Sequence, residues 1–276
     1  MRVLISADME GVTGVTCPDD VRPGSPRWEY FRVLLTGDVN AAVAGFFDAG
    51  ATEVIVNEAH ASKRNLLIAD LDPRSVAIVG THKPFGMMEG IDGGVDAVAF
   101  VGYHAGAGQQ GVLSHTYLGT TVLDVRINGE QASEGRMNAL LAAEFGVPVV
   151  LVTGDDLTCA DASRWAPDAK RVAVKQCVDR YTAACLPPVR TAELIRQASA
   201  TALGSLTGPD DWPGGPFTYE VVFDAEQAVG ACTAIPGVER AAPRTVAFTL
   251  PTMAQAIRCF RAVTVLASAS AEPDYG

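Results

Sequence analysis

The sequence predicts an α/β protein with a doubly wound, mostly parallel sheet and a smaller C-terminal α+β portion. Short apolar runs of strand type alternate with longer segments in which apolar residues recur at helical spacing. A strand, a helix and a strand in succession form the βαβ unit, whose strands lie parallel. Beyond residue 155 weaker, alternating strands replace the very apolar ones. We therefore divide the chain into a core over residues 1–155, and a smaller portion over residues 156–276 that packs on it; a boundary near residue 210 is the alternative.

The predicted core elements follow one another closely. Residues 2–7 form a strand, residues 27–50 a helix that Gly50 ends, and residues 53–57 a second strand. A short helix is predicted over residues 85–91 and another over residues 133–145. The remaining core strands are predicted over residues 76–79, 97–102, 122–127 and 147–153.

The second portion is predicted from weaker patterns. A strand over residues 171–175 precedes a long helix over residues 191–206, and a Pro/Gly-rich break covers residues 208–216. Residues 217–223 alternate apolar and polar side chains, which indicates a strand with one buried face. A further strand is predicted over residues 245–250 and a closing helix over residues 253–267.

Charge and hydropathy argue against two classes of partner. The formal net charge is −11, and an acidic surface repels phosphate backbones, so we expect no nucleic acid partner. No apolar stretch approaches the roughly 18 residues that a membrane helix needs, so we expect no membrane partner. The N-terminal apolar run is too short for a secretory signal and is followed by Asp8 and Glu10, which favours a cytoplasmic location.

Acidic and imidazole side chains follow three of the predicted strands. Asp8 and Glu10 come after the first strand, His60 after the second, and His104 after the strand that ends at residue 102. Ligands of open parallel sheets bind outside the carboxyl ends of the strands, so these side chains should meet at one edge. Carboxylate oxygens with imidazole nitrogens suit zinc, manganese or cobalt. The sequence therefore predicts a metal site in the core.

Two further residues have competing interpretations. His115 lies in a strand-like run, where a lone histidine is commonly structural, but a metal hydrolase also needs a proton carrier and histidine serves near neutral pH. Glu134 lies near the start of a predicted helix, where a carboxylate suits the positive end of the helix dipole.

Eight strings stand out along most of the chain, in the order SADMEGVTGV, VNEAH, KPFGMMEG, FVGYHA, GVLSHT, INGEQASEGRMNA, PVVLVTGDD and AVKQCVDRYTAACLPP. Together they resemble the bacterial zinc-dependent D-aminopeptidases, the self-compartmentalising family associated with dipeptide-transport operons. The resemblance implies an α/β fold with a second, smaller domain. It also implies a homodecamer whose sites face an inner chamber.

The resemblance further implies two zinc ions per chain and a set of site residues. The implied metal ligands are Asp8, Glu10, His60, His104 and Glu134, and the implied catalytic residue is His115. The implied substrates are short peptides or amides with an N-terminal D-amino acid of the D-alanine type. They would be hydrolysed by a water that the two metals activate, with His115 as proton carrier.

Two other functions stay open on the sequence. The same site could serve a metal-dependent amidase or hydrolase of another small substrate, or a non-catalytic binding homologue, because a family does not fix its substrate. Two positions also depart from the family pattern: Ser133 stands where a glycine is expected, and Glu58 where an aspartate is usual. Both changes leave the implied ligands intact, and the loop at Ser133 is expected to affect substrate preference.

Overall fold

The computed structural model describes residues 1–204, 206, 208 and 213–271. Strands and helices alternate through most of this chain, as the sequence predicts. The elements are β1 (Arg2–Ala7), α1 (Pro18–Val21), α2 (Pro26–Asp48), β2 (Glu53–Glu58), β3 (Ser75–Ile78), β4 (Ala97–Val101), β5 (Val122–Ile127), β6 (Glu130–Gln131), α3 (Glu134–Glu144), β7 (Val149–Asp155), α4 (Asp156–Trp165), β8 (Lys170–Asp179), β9 (Thr182–Cys185), α5 (Pro188–Ala202), β10 (Phe217–Phe223), α6 (Glu226–Cys232), β11 (Glu239–Ala242), β12 (Thr245–Leu250) and α7 (Met253–Ala269).

The larger sheet places β1 near its centre. Within the described residues it has seven strands, in the order β3-β2-β1-β4-β7-β8-β9. Neighbouring strands run parallel except for the β8–β9 pair, which is antiparallel. The chain crosses to β2 on one side of β1 and to β4 on the other, so the winding reverses at β1. The predicted doubly wound, mostly parallel sheet is confirmed.

A smaller antiparallel sheet packs beside it. Its five strands, counted over the described residues, lie in the order β11-β12-β10-β5-β6. Strands β5 and β6 precede residue 155, whereas β8 and β9 follow it and belong to the larger sheet. Sheet membership therefore does not change at residue 155, and the division into residues 1–155 and 156–276 stays a prediction.

The larger sheet separates two apolar cores. Successive side chains of a strand point to opposite faces, so β1 contributes to both. Val3 and Ile5 pack with residues of α2 and α5, including Leu35 and Ile195. Leu4 packs on the other face, in the core that contains residues of α3, α7 and the smaller sheet. The uninterrupted apolar character of β1 follows from its burial on both faces.

Most predicted elements are confirmed within a few residues, but the helix predicted over residues 85–91 is wrong. That segment holds two separate 3₁₀ turns, Gly86–Met88 and Ile91–Gly93. Positive φ angles of 57° at Gly86 and 97° at Gly90 interrupt any continuous helix there. The helix predicted over residues 191–206 lies at Pro188–Ala202, because Pro188 fits the first turn.

Other expectations are tested only in part. The predicted break over residues 208–216 lies partly outside the described residues, and so does the end of the helix predicted to reach residue 206. The sequence patterns missed α1, α4, α6, β6, β9 and β11. In the part of the chain that the structure describes, no helix has both the length and the apolar character needed to cross a membrane.

Candidate metal centre

The residues predicted to bind metal converge at the carboxyl edge of the larger sheet. Strands β2, β1 and β4 are adjacent in the sheet. His60 lies just beyond the end of β2, Asp8 beyond the end of β1 and His104 beyond the end of β4. Glu10 follows in the loop after β1, and Glu134 begins α3. All five side chains are buried. The convergence follows from strand order, which fixes which loops become neighbours.

Close backbone contacts hold the β1 and β4 loops together. The amide of Gly11 donates to the carbonyl of Gly102 at 2.8 Å, and the amide of Asp8 donates to Val101 at 2.8 Å. A Cβ atom on Gly11 would lie 1.8 Å from the carbonyl oxygen of Tyr103. Position 11 therefore requires glycine, and its small size lets the loop that carries Asp8 and Glu10 lie against the loop that carries His104.

The Asp8 carboxylate faces two histidines. Its Oδ1 lies 3.4 Å from Nδ1 of His60, and its Oδ2 lies 3.4 Å from Nε2 of His104. Glu10 Oε2 is 3.1 Å from the same nitrogen of His60, and Glu134 Oε1 is 3.7 Å from Nε2 of His104. Asp8 thus lies between two groups of ligand-type atoms, as a carboxylate that bridges two cations would.

His115 lies beside this cluster. Its ring stacks on that of His104, with centroids 4.2 Å apart and planes 6° apart, and its Nε2 is 3.9 Å from Glu10 Oε1. One possible ligand group within 4.8 Å consists of His104, His115 and Glu134, and another of Asp8, Glu10 and His104. The geometry of His115 is therefore compatible with either a ligand or a proton carrier.

Each of these three imidazoles has one nitrogen fixed by the backbone. The contacts are His60 Nε2 to the Val21 carbonyl at 2.8 Å, His104 Nδ1 to Ala105 at 2.9 Å, and His115 Nδ1 to Leu113 at 2.9 Å. A carbonyl only accepts hydrogen bonds, so the contacting nitrogen carries the proton and donates. The opposite nitrogen faces the carboxylates, which is the arrangement that orients metal-binding histidines.

Two buried carboxylate oxygens are placed to bind a cation. Among the described residues, Asp8 Oδ2 and Glu10 Oε2 have no hydrogen-bond partner. A buried charged oxygen without a partner is costly, and a cation between the carboxylates and imidazoles would satisfy both atoms. The donors are oxygens and nitrogens, which suits zinc. The residues present therefore fit a zinc centre.

Electrostatics in the cluster favour ion pairs despite burial. Burial alone would raise the pKa of Glu10, but the His60 imidazolium lowers it to about 2. Burial likewise opposes charge on His104, yet Glu134 and Asp8 raise its pKa to about 10. The pKa of His60 is raised well above its ordinary value by Glu10 and Asp8, again against burial. The site thus has a strong preference for positive charge between its carboxylates.

Lys175 binds the backbone of the loop that carries Glu10. This buried ammonium donates to the backbone carbonyls of Glu10, Val12 and Val15, at 2.6, 3.0 and 2.8 Å. The sequence patterns do not predict this role. A lysine in the apolar strand segment AVKQ was the available signal, because a lysine buried in a strand needs several acceptors.

Glu58 supports the His60 loop in a similar way. Its buried carboxylate accepts from the amide of His60 at 3.2 Å and from the side chain of Asn65 at 2.8 Å. The amide of Asn65 also donates to it. Glu58, which stands where the family usually has an aspartate, therefore supports the loop of a proposed ligand.

Glu134 uses its position at the start of α3 to reach the cluster. Ser133 caps the helix, because its Oγ accepts from the amide of Arg136 at 3.2 Å. The Glu134 carboxylate accepts from the amide of Tyr117 at 2.8 Å. Since Ser133 does the capping, Glu134 is available to face His104.

Known proteins resemble this chain along nearly its whole length. A family model described as D-aminopeptidase matches residues 1–262. A D-aminopeptidase from Bacillus subtilis (strain 168) is 34% identical, with 97% of this chain and 98% of the relative covered. A solved structure, the Zn-dependent D-aminopeptidase DppA from Bacillus subtilis, a self-compartmentalizing protease, is similar with a TM-score of 0.93 and 32% identity. That match covers 97% of this chain and 98% of the other.

Proposed function

The chain belongs to the D-aminopeptidase family, and on that premise we propose that the cluster around Asp8 is its zinc-dependent catalytic site. The substrates would be short peptides or amides with an N-terminal D-amino acid, of the D-alanine type. The observation that carries this proposal is the Asp8 carboxylate, whose two oxygens face different histidines and whose Oδ2 has no hydrogen-bond partner among the described residues.

We assign the proposed ligands to two zinc ions per chain. Glu10 and His60 would hold one ion, His104 and Glu134 the other, and Asp8 would contribute an oxygen to each. The backbone contacts of His60 and His104 support this assignment, because they leave one nitrogen of each ring free to bind.

The mechanism we propose is hydrolysis of the first peptide bond. Bound zinc supplies a Lewis acid that polarises the carbonyl and makes a water more acidic. His115 donates a hydrogen bond from its Nδ1–H to the Leu113 carbonyl, which leaves Nε2 free to accept a proton from the attacking water. The same nitrogen then gives that proton to the leaving amine as the C–N bond breaks.

The position of His115 suits this role. It is more exposed than the five proposed ligands, and it lines a cavity of about 600 Å³ with Ser114 and Gly119. A proton carrier must reach both the water and the leaving amine, so it needs access to a bound substrate. The proposed ligands, being buried, lack that access.

We also propose that the chain assembles with copies of itself. The similar structure is described as a self-compartmentalizing protease, and a closed homo-oligomer, with a decamer as the implied size, is the corresponding assembly for this chain. Light scattering after gel filtration would measure it. The cytoplasmic location expected from the sequence stays a prediction.

Stereoselective turnover tests the proposed function. Zinc-loaded protein should hydrolyse D-alanyl-D-alanine and D-alaninamide, and their L counterparts much more slowly. Asp8→Asn should abolish turnover, and Asp92→Asn, which changes an exposed residue, should not. Equal rates on D and L substrates would contradict the proposal and favour another metal-dependent amidase. Bound zinc without turnover on any substrate would favour a non-catalytic homologue.

A further inference from the structure

A second cavity is lined by residues other than those that line the cavity at His115. It has a volume of about 1120 Å³ and is bordered by the loop after His60, the segment 81–87, Tyr117 and the C-terminal half of α7. It is large enough for part of a small ligand. The residues that line it belong to elements distant in sequence, so it is formed by the fold as a whole.

The cavity is cationic, although the chain is acidic. Acidic residues outnumber lysine and arginine by 32 to 21 in the sequence. The lining nevertheless includes four cations, and among the described lining residues there is no aspartate or glutamate. The four cations are Lys63, Lys83, Arg258 and Arg261. A cavity of this kind attracts anions.

No carboxylate within the described residues pairs with these cations. Arg261 donates to the backbone carbonyls of Lys83 and Pro84, and Arg258 lies over the ring of Phe85 at 4.8 Å. The ammonium of Lys83 donates to Asn57 Oδ1 and to two backbone carbonyls. Neutral oxygens and an aromatic ring orient these three groups, and none of the three forms an ion pair with a described carboxylate.

Lys63 is the least constrained of the four. Over the described part of the chain its ammonium has neither a hydrogen bond nor an ion pair. Its backbone amide donates to the carbonyl of His60 at 2.8 Å, so its main chain lies against that of a proposed ligand. The side chain of Lys63 lines the cavity, where it is available to a bound anion.

Tyr117 connects the cavity to the metal centre. Its amide donates to Glu134 Oε1 at 2.8 Å, and its side chain lines the cavity. The ring packs edge-on against Phe260 of α7, with centroids 5.1 Å apart. A ligand in the cavity would therefore share a wall with the proposed zinc site.

We propose that this cavity binds a carboxylate of the substrate, with Lys63 as its main partner and Arg258 in support. The proposal rests on the proposed function and adds to it a preference, within that substrate class, for peptides that carry an anionic group. The carboxylate could be the C-terminus of a dipeptide or the side chain of an acidic N-terminal D-residue. Both would form charge-assisted hydrogen bonds with the ammonium.

Two matched substrate pairs distinguish the sources. D-Alanyl-D-alanine and D-alanyl-D-alaninamide differ in the C-terminal charge, and D-aspartyl-glycinamide and D-asparaginyl-glycinamide differ in the side-chain charge. In the zinc-loaded wild-type protein, kcat/KM should favour the carboxylate member of one pair by about 10- to 100-fold, mainly through KM. The first pair identifies the C-terminus, and the second identifies the side chain.

Variants of cavity residues test whether the preference for the carboxylate substrate arises in the cavity. Lys63→Met should reduce the preference to within about threefold of unity, and Lys63→Arg should retain most of it. Lys170→Met, which changes an exposed lysine at the start of β8, should leave the preference unchanged. Arg258→Met changes an exposed side chain and should lower the preference too, so it tests the proposal if Lys63→Met does not fold.

The outcomes separate this proposal from the proposed function. Turnover without a preference in either pair would overturn the carboxylate site and leave the D-aminopeptidase intact. A preference that persists in both Lys63→Met and Arg258→Met would also overturn it. Absence of turnover on all four substrates, and on D-alaninamide as well, would instead refute the proposed function on which it rests.

Discussion

The ammonium of Lys175 lies 2.6 Å from the backbone carbonyl oxygen of Glu10, so a buried cation binds the main chain of a proposed zinc ligand. It also donates to the carbonyls of Val12 and Val15, so three carbonyls of the loop bind the same ammonium. Asp38 makes a second contact with this loop, since its carboxylate accepts a hydrogen bond from the amide of Thr13 at 3.0 Å. The position of the Glu10 carboxylate is therefore set by contacts far from it in sequence.

Removing the Lys175 charge should weaken zinc binding. Lys175→Met keeps the length of the side chain but loses three donors, so the loop should lose its fixed shape and zinc affinity should fall about 10- to 100-fold. Zinc titration against a competing chelator measures the change, with Lys170→Met as the control on the same strand. An affinity equal to that of the wild type in folded Lys175→Met protein would contradict this role.

The cap of α3 should contribute measurably to stability. Ser133→Ala removes the acceptor for the Arg136 amide and should lower the free energy of unfolding by about 1 kcal/mol, whereas Ser133→Gly should cost only a few tenths. Both variants lose the Oγ contacts of Ser133 with Arg136 and Asp161, so their difference reports the better fit of glycine than of alanine to the N-cap position. Urea unfolding of the zinc-free proteins, prepared with a chelator, measures it. A larger loss in Ser133→Gly would refute this explanation.

Zinc binding should release protons. The carboxylates raise the pKa of His104 to about 10 and that of His60 well above its ordinary value, so both rings are protonated at neutral pH before metal binds. A ligand imidazole must be neutral, and each ring should therefore lose one proton. Calorimetry at pH 7.5 in two buffers of different ionisation enthalpy counts these protons. Heats that do not depend on the buffer would contradict the prediction.

The same pKa shifts determine the direction in which stability and zinc affinity change with pH. Because the pKa of His104 is raised to about 10 in the folded zinc-free protein, its protonated ring stabilises that protein. This stabilisation is complete below pH 6.5, the ordinary pKa of histidine, and is lost as pH rises through about 10. Apparent zinc affinity should change in the opposite direction and increase across that range, because fewer protons compete. Titrations at pH 6.5, 8 and 9.5 would show the increase, and a flat or falling affinity would refute it.

His115 should be needed for turnover and not for metal. His115→Ala should lower kcat by about 10²- to 10⁴-fold, because the proton carrier is lost, while zinc content stays close to that of the wild type. His104→Ala is the matched contrast, since its ring stacks on His115 but faces Asp8 and Glu134. It should lose metal. Loss of zinc in His115→Ala as well would instead make His115 a ligand.

The site could be predicted from the order of the strands and from the polar residues that follow them. Asp8, His60 and His104 each follow a buried apolar run, and parallel strands bring such ends to one edge. The family resemblance added Glu134 and His115, whose local patterns had ordinary structural explanations. The structure brings all six residues together, while their roles as ligands and proton carrier stay proposals.

The supporting residues and the second sheet could not be predicted in this way. Lys175 and Glu10 are 165 positions apart, so no local pattern links them. Strand β5 pairs with β10, which comes much later in the chain, and only tertiary pairing assigns it to the smaller sheet. Helix α4 was missed because it is short, although Asp155 accepts from the amide of Thr158 as its cap.

The number of zinc ions per chain tests the central claim most directly, measured by elemental analysis of protein purified without chelator. The wild type should contain about two zinc ions per chain, since Asp8 faces two separate sets of ligand atoms. Asp8→Ala should lose both, because it removes an oxygen from each set. A wild-type protein that contains no zinc and fails to bind added zinc would contradict the assignment of this cluster as a metal centre.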